Sequence, residues 1–403
     1  MLPRPCLSFT LPSIYDDTKL DCRLYHPPCL RDPSHPGAPW SGHAAVVAHP
    51  YAPMGGCFDD PIVDLTAGTL LQLGFLVATF NFRGAGSSEG RTSWTSKPEQ
   101  ADYTSVVGFL AYYVYHLRRS SPAYNATRQQ LPTMLLAGYS YGAMITTRLP
   151  PLDKMLAFFT TPSIHTAEAD IRLRAQHLAE AQNAQMTSPA SPRRSGGIRI
   201  GGDEDSSRRS HDGNGRGNPT SEFQREERIR ESVRHLLSRA KLIPRRSPHW
   251  SPSESGSGPG PGNKVDHCLE RVEGDVTFRS AYLAVSPPVG VVTRLATMSF
   301  SNPLPAFYSW IRRPAAARDE SESEMEHAVL SANPTLVIYG DQDAFIGHRK
   351  MREWTGRIEA VDASRFRHVE VPGAGHFWME SEVAYQLRDA IGMFATEITR
   401  LDG

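Results

Sequence analysis

A serine with glycine two residues away on either side, standing where an apolar strand runs straight into a helix, constrains this chain more than any other feature. Met134 to Ala137 reads as a buried strand, Gly138-Tyr139-Ser140-Tyr141-Gly142 as a tight turn, and Ala143 to Leu149 as a helix closed by Pro150 and Pro151. A serine at such an apex holds its Oγ above the sheet, and the first amides of the helix are aimed at whatever that oxygen attacks. The glycines let the backbones crowd together where a Cβ would clash. The same five residues also fit an ordinary glycine-rich turn whose serine caps a helix. The strand before and the helix after are what favour a nucleophile.

The rest of the chain repeats this grammar. Apolar strand-like runs occur at Ala44 to Ala48, Phe75 to Phe80, Ala281 to Ser286, Leu336 to Tyr339 and Val369 to Val371. Helical patterns lie between and after them, carried by Ile62, Leu65, Leu70 and Leu73, by Val107, Leu110, Val114 and Leu117, and by Val383, Leu387, Ile391, Phe394 and Ile398. Ser96 and Glu99 have the spacing of a capping box at the start of the second helix. Leu7 to Thr10 and Leu20 to Tyr25 predict an N-terminal antiparallel hairpin. Alternating strands and helices predict an α/β fold, a mostly parallel sheet with helices on both faces and its site at the carboxyl ends of the strands.

One domain is expected from residues 1–165 and 275–403. Between them, 179–262 is rich in Ser, Arg, Gly and Pro, and little of it can bury apolar area against its ordering entropy, so a largely disordered insertion is expected. Within it, Ile229, Val233, Leu236, Leu237 and Ala240 predict a helix over 222–243, and the insertion is a candidate contact for a protein partner. The aromatic cluster at Phe300, Phe307, Tyr308 and Trp310 makes 290–331 either a small cap or an ordinary packed segment.

Composition excludes some functions. Lys plus Arg and Asp plus Glu are 43 each, so no excess positive charge is available to displace counterions from nucleic acid. Cys6, Cys22, Cys29, Cys57 and Cys268 lack metal or disulfide spacing and read as free thiols of a reducing compartment. Prolines interrupt the first residues where a signal peptide needs an apolar core, and no run reaches membrane-spanning length, so a soluble cytoplasmic protein is expected. Gly84-Ala85-Gly86 has Glu89 where a dinucleotide fingerprint needs its third glycine. His26, His43 and His49 offer no zinc spacing. Neither a cofactor nor a metal is expected.

Three polar groups stand just past strand ends in the order Ser140, Asp341 or Asp343, His376. A serine hydroxyl needs an imidazole to take its proton, and the imidazole needs a carboxylate to fix its tautomer. With His49-Pro50-Tyr51-Ala52-Pro53-Met54-Gly55-Gly56, Asn81 to Gly90, Gly138 to Gly142, Gly340-Asp341-Gln342-Asp343 and Gly373-Ala374-Gly375-His376, the chain resembles the α/β-hydrolase superfamily. The likeness is to serine hydrolases with a His-Pro-x-x-x-x-Gly-Gly oxyanion loop. The resemblance implies that Asp343 is the triad acid with Asp341 in reserve. It implies an oxyanion hole at the backbone amides of Tyr141 and Tyr51, and gives His49 and Arg83 loop-bracing roles. A serine hydrolase cleaving an ester, thioester or activated amide of a small acyl substrate is therefore expected, losing activity at acid pH as His376 takes up a proton. The alternatives are a non-catalytic binding or scaffold protein on the same fold and an acyltransferase using the same triad.

Overall fold

Ala44-Ala45-Val46-Val47-Ala48 is buried at all five positions, and its side chains alternate between two separate apolar clusters. A strand with that pattern must be covered on both faces. The computed structural model describes residues 1–31, 40–119, 131–187, 242–245, 266–288 and 316–400, with scattered helical positions between 227 and 238. The strands are β1 (Leu7–Pro12), β2 (Lys19–Tyr25), β3 (Ala44–Ala48), β4 (Leu76–Phe80), β5 (Thr133–Tyr139), β6 (Leu242–Arg245), β7 (Asp266–Leu269), β8 (Arg279–Val285), β9 (Thr335–Gly340) and β10 (Phe366–Val371). Among the described residues, eight form one sheet in the order β1-β2-β4-β3-β5-β8-β9-β10. The expected hairpin is present: β1 pairs antiparallel with β2, and β2 antiparallel with β4. Every other pairing in this sheet is parallel.

Helices cover both faces. Helices α1 (Pro61–Gln72) and α8 (Val383–Arg400) pack on the face that carries Ala45, Val47, Leu135 and Ile338. Helices α2 (Lys97–Arg119), α3 (Tyr141–Thr147), α4 (Leu152–Ala157) and α5 (Ala167–Thr187) pack on the face of Val46, Leu136 and Tyr282. Val329 and Leu330 of α6 (Ala316–Ala332) and Met351, Trp354 and Ile358 of α7 (His348–Glu359) join that second cluster. Because β3, β5, β8, β9 and β10 run the same way, the segments after Ala48, Tyr139, Val285, Gly340 and Val371 emerge on one rim.

Several details differ from the sequence reading. Helix α5 was not expected, and it carries the core past residue 165: Ile171, Ala175, Leu178 and Ala179 lie on one face, i, i+4, i+7 and i+8, and are buried beside α2. Good helix formers and small alanines gave a weak periodic signal, yet burying a side chain such as Ile171 stabilises by about 1.5–3 kcal/mol. Ala179, assigned to the insertion, is therefore core. Of the helix expected over 222–243, helical positions occur between 227 and 238 and Ile229 is buried, but Leu242 and Ile243 belong to β6, which pairs antiparallel with β7. The remaining insertion, 188–226 and 246–262, and cap residues 290–315 lie outside the described residues. The capping box is not formed, because Ser96 adopts a left-handed φ of 59° and the Glu99 carboxylate instead accepts from the backbone N–H of Ser93 at 2.6 Å and from its hydroxyl at 2.5 Å.

Candidate active site

Strand β5 ends at Tyr139 and helix α3 begins at Tyr141, which leaves Ser140 alone between them at φ 52°, ψ −115°. An L-residue with a side chain adopts such a conformation only when its surroundings over-determine it. Here the Ser140 N–H donates to the Val285 carbonyl at 2.8 Å, and its own carbonyl accepts from Met144 N–H at 2.9 Å. The two glycines are required by close approach. A Cβ on Gly138 would sit 2.3 Å from the carbonyl carbon of Gly142, and one on Gly142 would sit 2.6 Å from the carbonyl oxygens of Ala48 and His49.

The serine is half-buried, and its Oγ lies 2.9 Å from Nε2 of His376. On the other side of that ring, Nδ1 lies 2.7 Å from Oδ2 of Asp343, whose side chain is fully buried. A carboxylate only accepts, so Nδ1 carries the proton and Nε2 is left to accept from Ser140. The second oxygen of Asp343 accepts from Phe345 N–H at 2.9 Å, which fixes the carboxylate plane. Asp341 goes elsewhere: its Oδ1 accepts from Gly373 N–H at 2.6 Å. The structure thus brings Ser140, His376 and Asp343 into one hydrogen-bonded chain and leaves Asp341 outside it.

Tyr51 and Tyr141 are neighbours, with ring centroids 5.2 Å apart. Tyr141 opens α3, so its N–H has no intrahelical acceptor. The Tyr51 carbonyl accepts from the amides of Met54 and Gly56, while its own amide makes no backbone hydrogen bond among the described residues. The loop that carries Tyr51 is tethered by His49. Nδ1 of His49 donates to the Pro50 carbonyl at 2.6 Å, and Nε2 accepts from Phe82 N–H at 2.9 Å. Burial lowers the pKa of this imidazole to about 4, against a partial offset from the Pro50 bond, so it stays neutral. With both nitrogens engaged, His49 is a strut.

Arg83 is buried just past β4. Its guanidinium donates to both oxygens of Asp102, at 2.9 and 2.7 Å, and reaches Asp16 at 2.9 Å and the Ser13 hydroxyl at 3.1 Å. It therefore joins the segment after β4 to α2 and to the β1–β2 turn. Asp102 gave no signal in the sequence beyond being a carboxylate within an apolar helix. Among the described residues, no group of three or more His, Cys, Asp or Glu could hold a metal ion. Nor, among them, is any helix long and apolar enough to cross a membrane.

No family model matches the chain. Esterase LipC of Mycobacterium tuberculosis is 31% identical over 91 residues, a stretch that spans 22% of this chain and 22% of that relative. Among solved structures, the chain is similar to XC6422 of Xanthomonas campestris, described as an α/β serine hydrolase without lid. That likeness has 17% identity and a TM-score of 0.43, and it covers 98% of this chain and 96% of that one. An α/β serine hydrolase homologue from Coxiella burnetii gives 15% identity, a TM-score of 0.41 and coverage of 98% and 99%. The esterase PF2001 of Pyrococcus furiosus gives 12%, 0.41, and 98% and 91%. Strand order and strand sense define an α/β fold with a mostly parallel eight-stranded sheet among the described residues.

Proposed function

We propose that the protein is a serine hydrolase that cleaves an ester, thioester or activated amide through an acyl-enzyme. The observation that carries this reading is the unbroken chain from Ser140 Oγ to His376 Nε2 and from His376 Nδ1 to Asp343, built on a serine held at positive φ. Ser140 Oγ attacks the substrate carbonyl as His376 Nε2 takes its proton, and Asp343 stabilises the imidazolium that forms. The oxyanion of the tetrahedral intermediate accepts from the amides of Tyr141 and Tyr51, one such donor lowering the barrier by about 2.7–4 kcal/mol. Collapse breaks the bond to the leaving group, which receives the proton from His376. Water then repeats the sequence on the acyl-enzyme and regenerates Ser140. The Phe345 ring lies 4.7 Å from the imidazole and the exposed Phe377 ring 5.5 Å from it, which favours an uncharged, apolar leaving group.

The test is labelling with a fluorophosphonate followed by peptide mapping. Label is expected on Ser140, and Ser140→Ala is expected to lose label and to lower kcat by about 10⁶-fold on any ester the protein turns over. Label on another residue, or a Ser140→Ala variant with near-normal turnover, overturns the reading.

A further inference from the structure

The segment that carries His376 makes poor use of its own backbone. After β10, Ala374 N–H reaches Val371 at 3.4 Å and Trp378 N–H reaches Gly375 at 3.3 Å, both at the long end for such bonds. Better contacts come from side chains and backbone belonging to other strand ends. The Tyr139 hydroxyl donates to the His376 carbonyl at 2.8 Å in a buried setting, and its ring lies 5.7 Å from the imidazole. The Trp378 indole N–H donates to the Ser286 hydroxyl at 3.1 Å, also buried. Asp341 holds Gly373 N–H at the start of the segment, and Gln342 N–H donates to the Ala374 carbonyl at 3.0 Å. Trp378 at φ 54° and Ser286 at φ 48° share with Ser140 a left-handed backbone that a side-chain-bearing residue adopts at a cost. Among the described residues, Ser140, Ser286 and Trp378 are thus three of the eight side-chain-bearing positions at positive φ, and they lie on the strand ends and the segment that meet at the contact between base and nucleophile.

We infer that Tyr139 is a positioning residue: its hydroxyl fixes the His376 carbonyl, so that the strand end which presents Ser140 also sets where the imidazole stands. The inference rests on the hydrolase reading above and deepens it. Tyr139 directly precedes Ser140, so a displacement of the elbow carries the anchor of the base with it and the Oγ to Nε2 distance is preserved. Ser286, at the end of the neighbouring strand β8, holds the same segment two residues further on. Phenylalanine at 139 would keep the packing and leave the His376 carbonyl buried without its donor.

Tyr139→Phe tests this directly, with Ser286→Ala as a second variant at an independent anchor. For Tyr139→Phe, kcat and the rate of fluorophosphonate labelling are expected to fall together by about 10- to 100-fold with KM unchanged, as a small misplacement of a catalytic group demands. The downfield proton resonance of the His376 Nδ1–H is expected to broaden, while the far-UV circular dichroism stays that of the parent. Ser286→Ala is expected to give the same split between kcat and KM at smaller size. A Tyr139→Phe protein that labels and turns over within twofold of the parent overturns the inference and leaves the hydrolase reading intact. So does a Ser286→Ala protein with parental kcat if Tyr139→Phe does not fold. A parent protein that takes no label overturns both.

Discussion

An imidazole can move a proton only if one nitrogen is committed and the other is open to the reacting group, and the two histidines at this rim differ on that point alone. His49 is closed at both nitrogens by Pro50 and Phe82, whereas His376 is committed only through Nδ1 to Asp343 and turns Nε2 toward Ser140. The same distinction separates Asp341 from Asp343, two residues apart with identical chemistry. Asp343→Asn is expected to lower kcat by about 10⁴-fold, because an amide facing Nδ1 no longer selects the productive tautomer. Asp341→Asn keeps an oxygen for Gly373 N–H and is expected to cost no more than a few-fold. Equal losses in the two variants, measured on one ester, would show that the acid has been assigned to the wrong residue. The sequence pattern left both aspartates open, and only the resemblance to known hydrolases preferred one.

At the scale of elements, the rim is assembled by backbone approaching backbone. Gly142 lies where α3 meets the end of β3, and a Cβ there would face two carbonyl oxygens at 2.6 Å, neither of which belongs to a flexible side chain. Gly142→Ala is therefore expected to destabilise the protein by about 1–3 kcal/mol and to separate the loop of Tyr51 from the elbow. A urea midpoint and a labelling rate that both match the parent would contradict it. The spacing of these glycines was legible in the sequence, because the steric permission they give is a local property. Helix α5 shows the opposite case: its apolar stripe is thin, and what makes it a helix of the core is the surface of α2 against which it packs.

For the molecule as a whole, buried histidines tie stability to pH. His43 and His116 are lowered to about 4 by burial and by nearby arginines, and His49 by burial, from the 6.5 expected of an exposed imidazole. As pH falls below 6.5 the unfolded chain takes up protons that the folded chain refuses. The stability is thus complete above 6.5, declines down to about 4 and is constant below that as far as these groups are concerned. Each histidine accounts for about 3 kcal/mol over that window. The urea midpoint is expected to be level between about pH 7 and 8 and to drop steeply on acidification toward about pH 4.5. A midpoint that holds level throughout would contradict the burial of these rings. Any loss of activity over the same range then has to be separated from loss of fold, by circular dichroism at each pH.

By itself the sequence determined the eight strands of the main sheet, the four helices α1, α2, α3 and α8, the crowded turn at Ser140 and the order in which the three polar groups follow their strands. All of these depend on hydrophobic period and steric permission within a few residues. Tertiary structure alone decided which carboxylate faces His376, that Arg83 finds Asp102 and Asp16, and that Tyr139 and Ser286 reach the segment carrying the base. Ser140 and His376 are 236 positions apart, and His376 and Asp343 are 33 apart. Contacts across such separations follow from strand order and from the rim that parallel strands share, which no local pattern encodes.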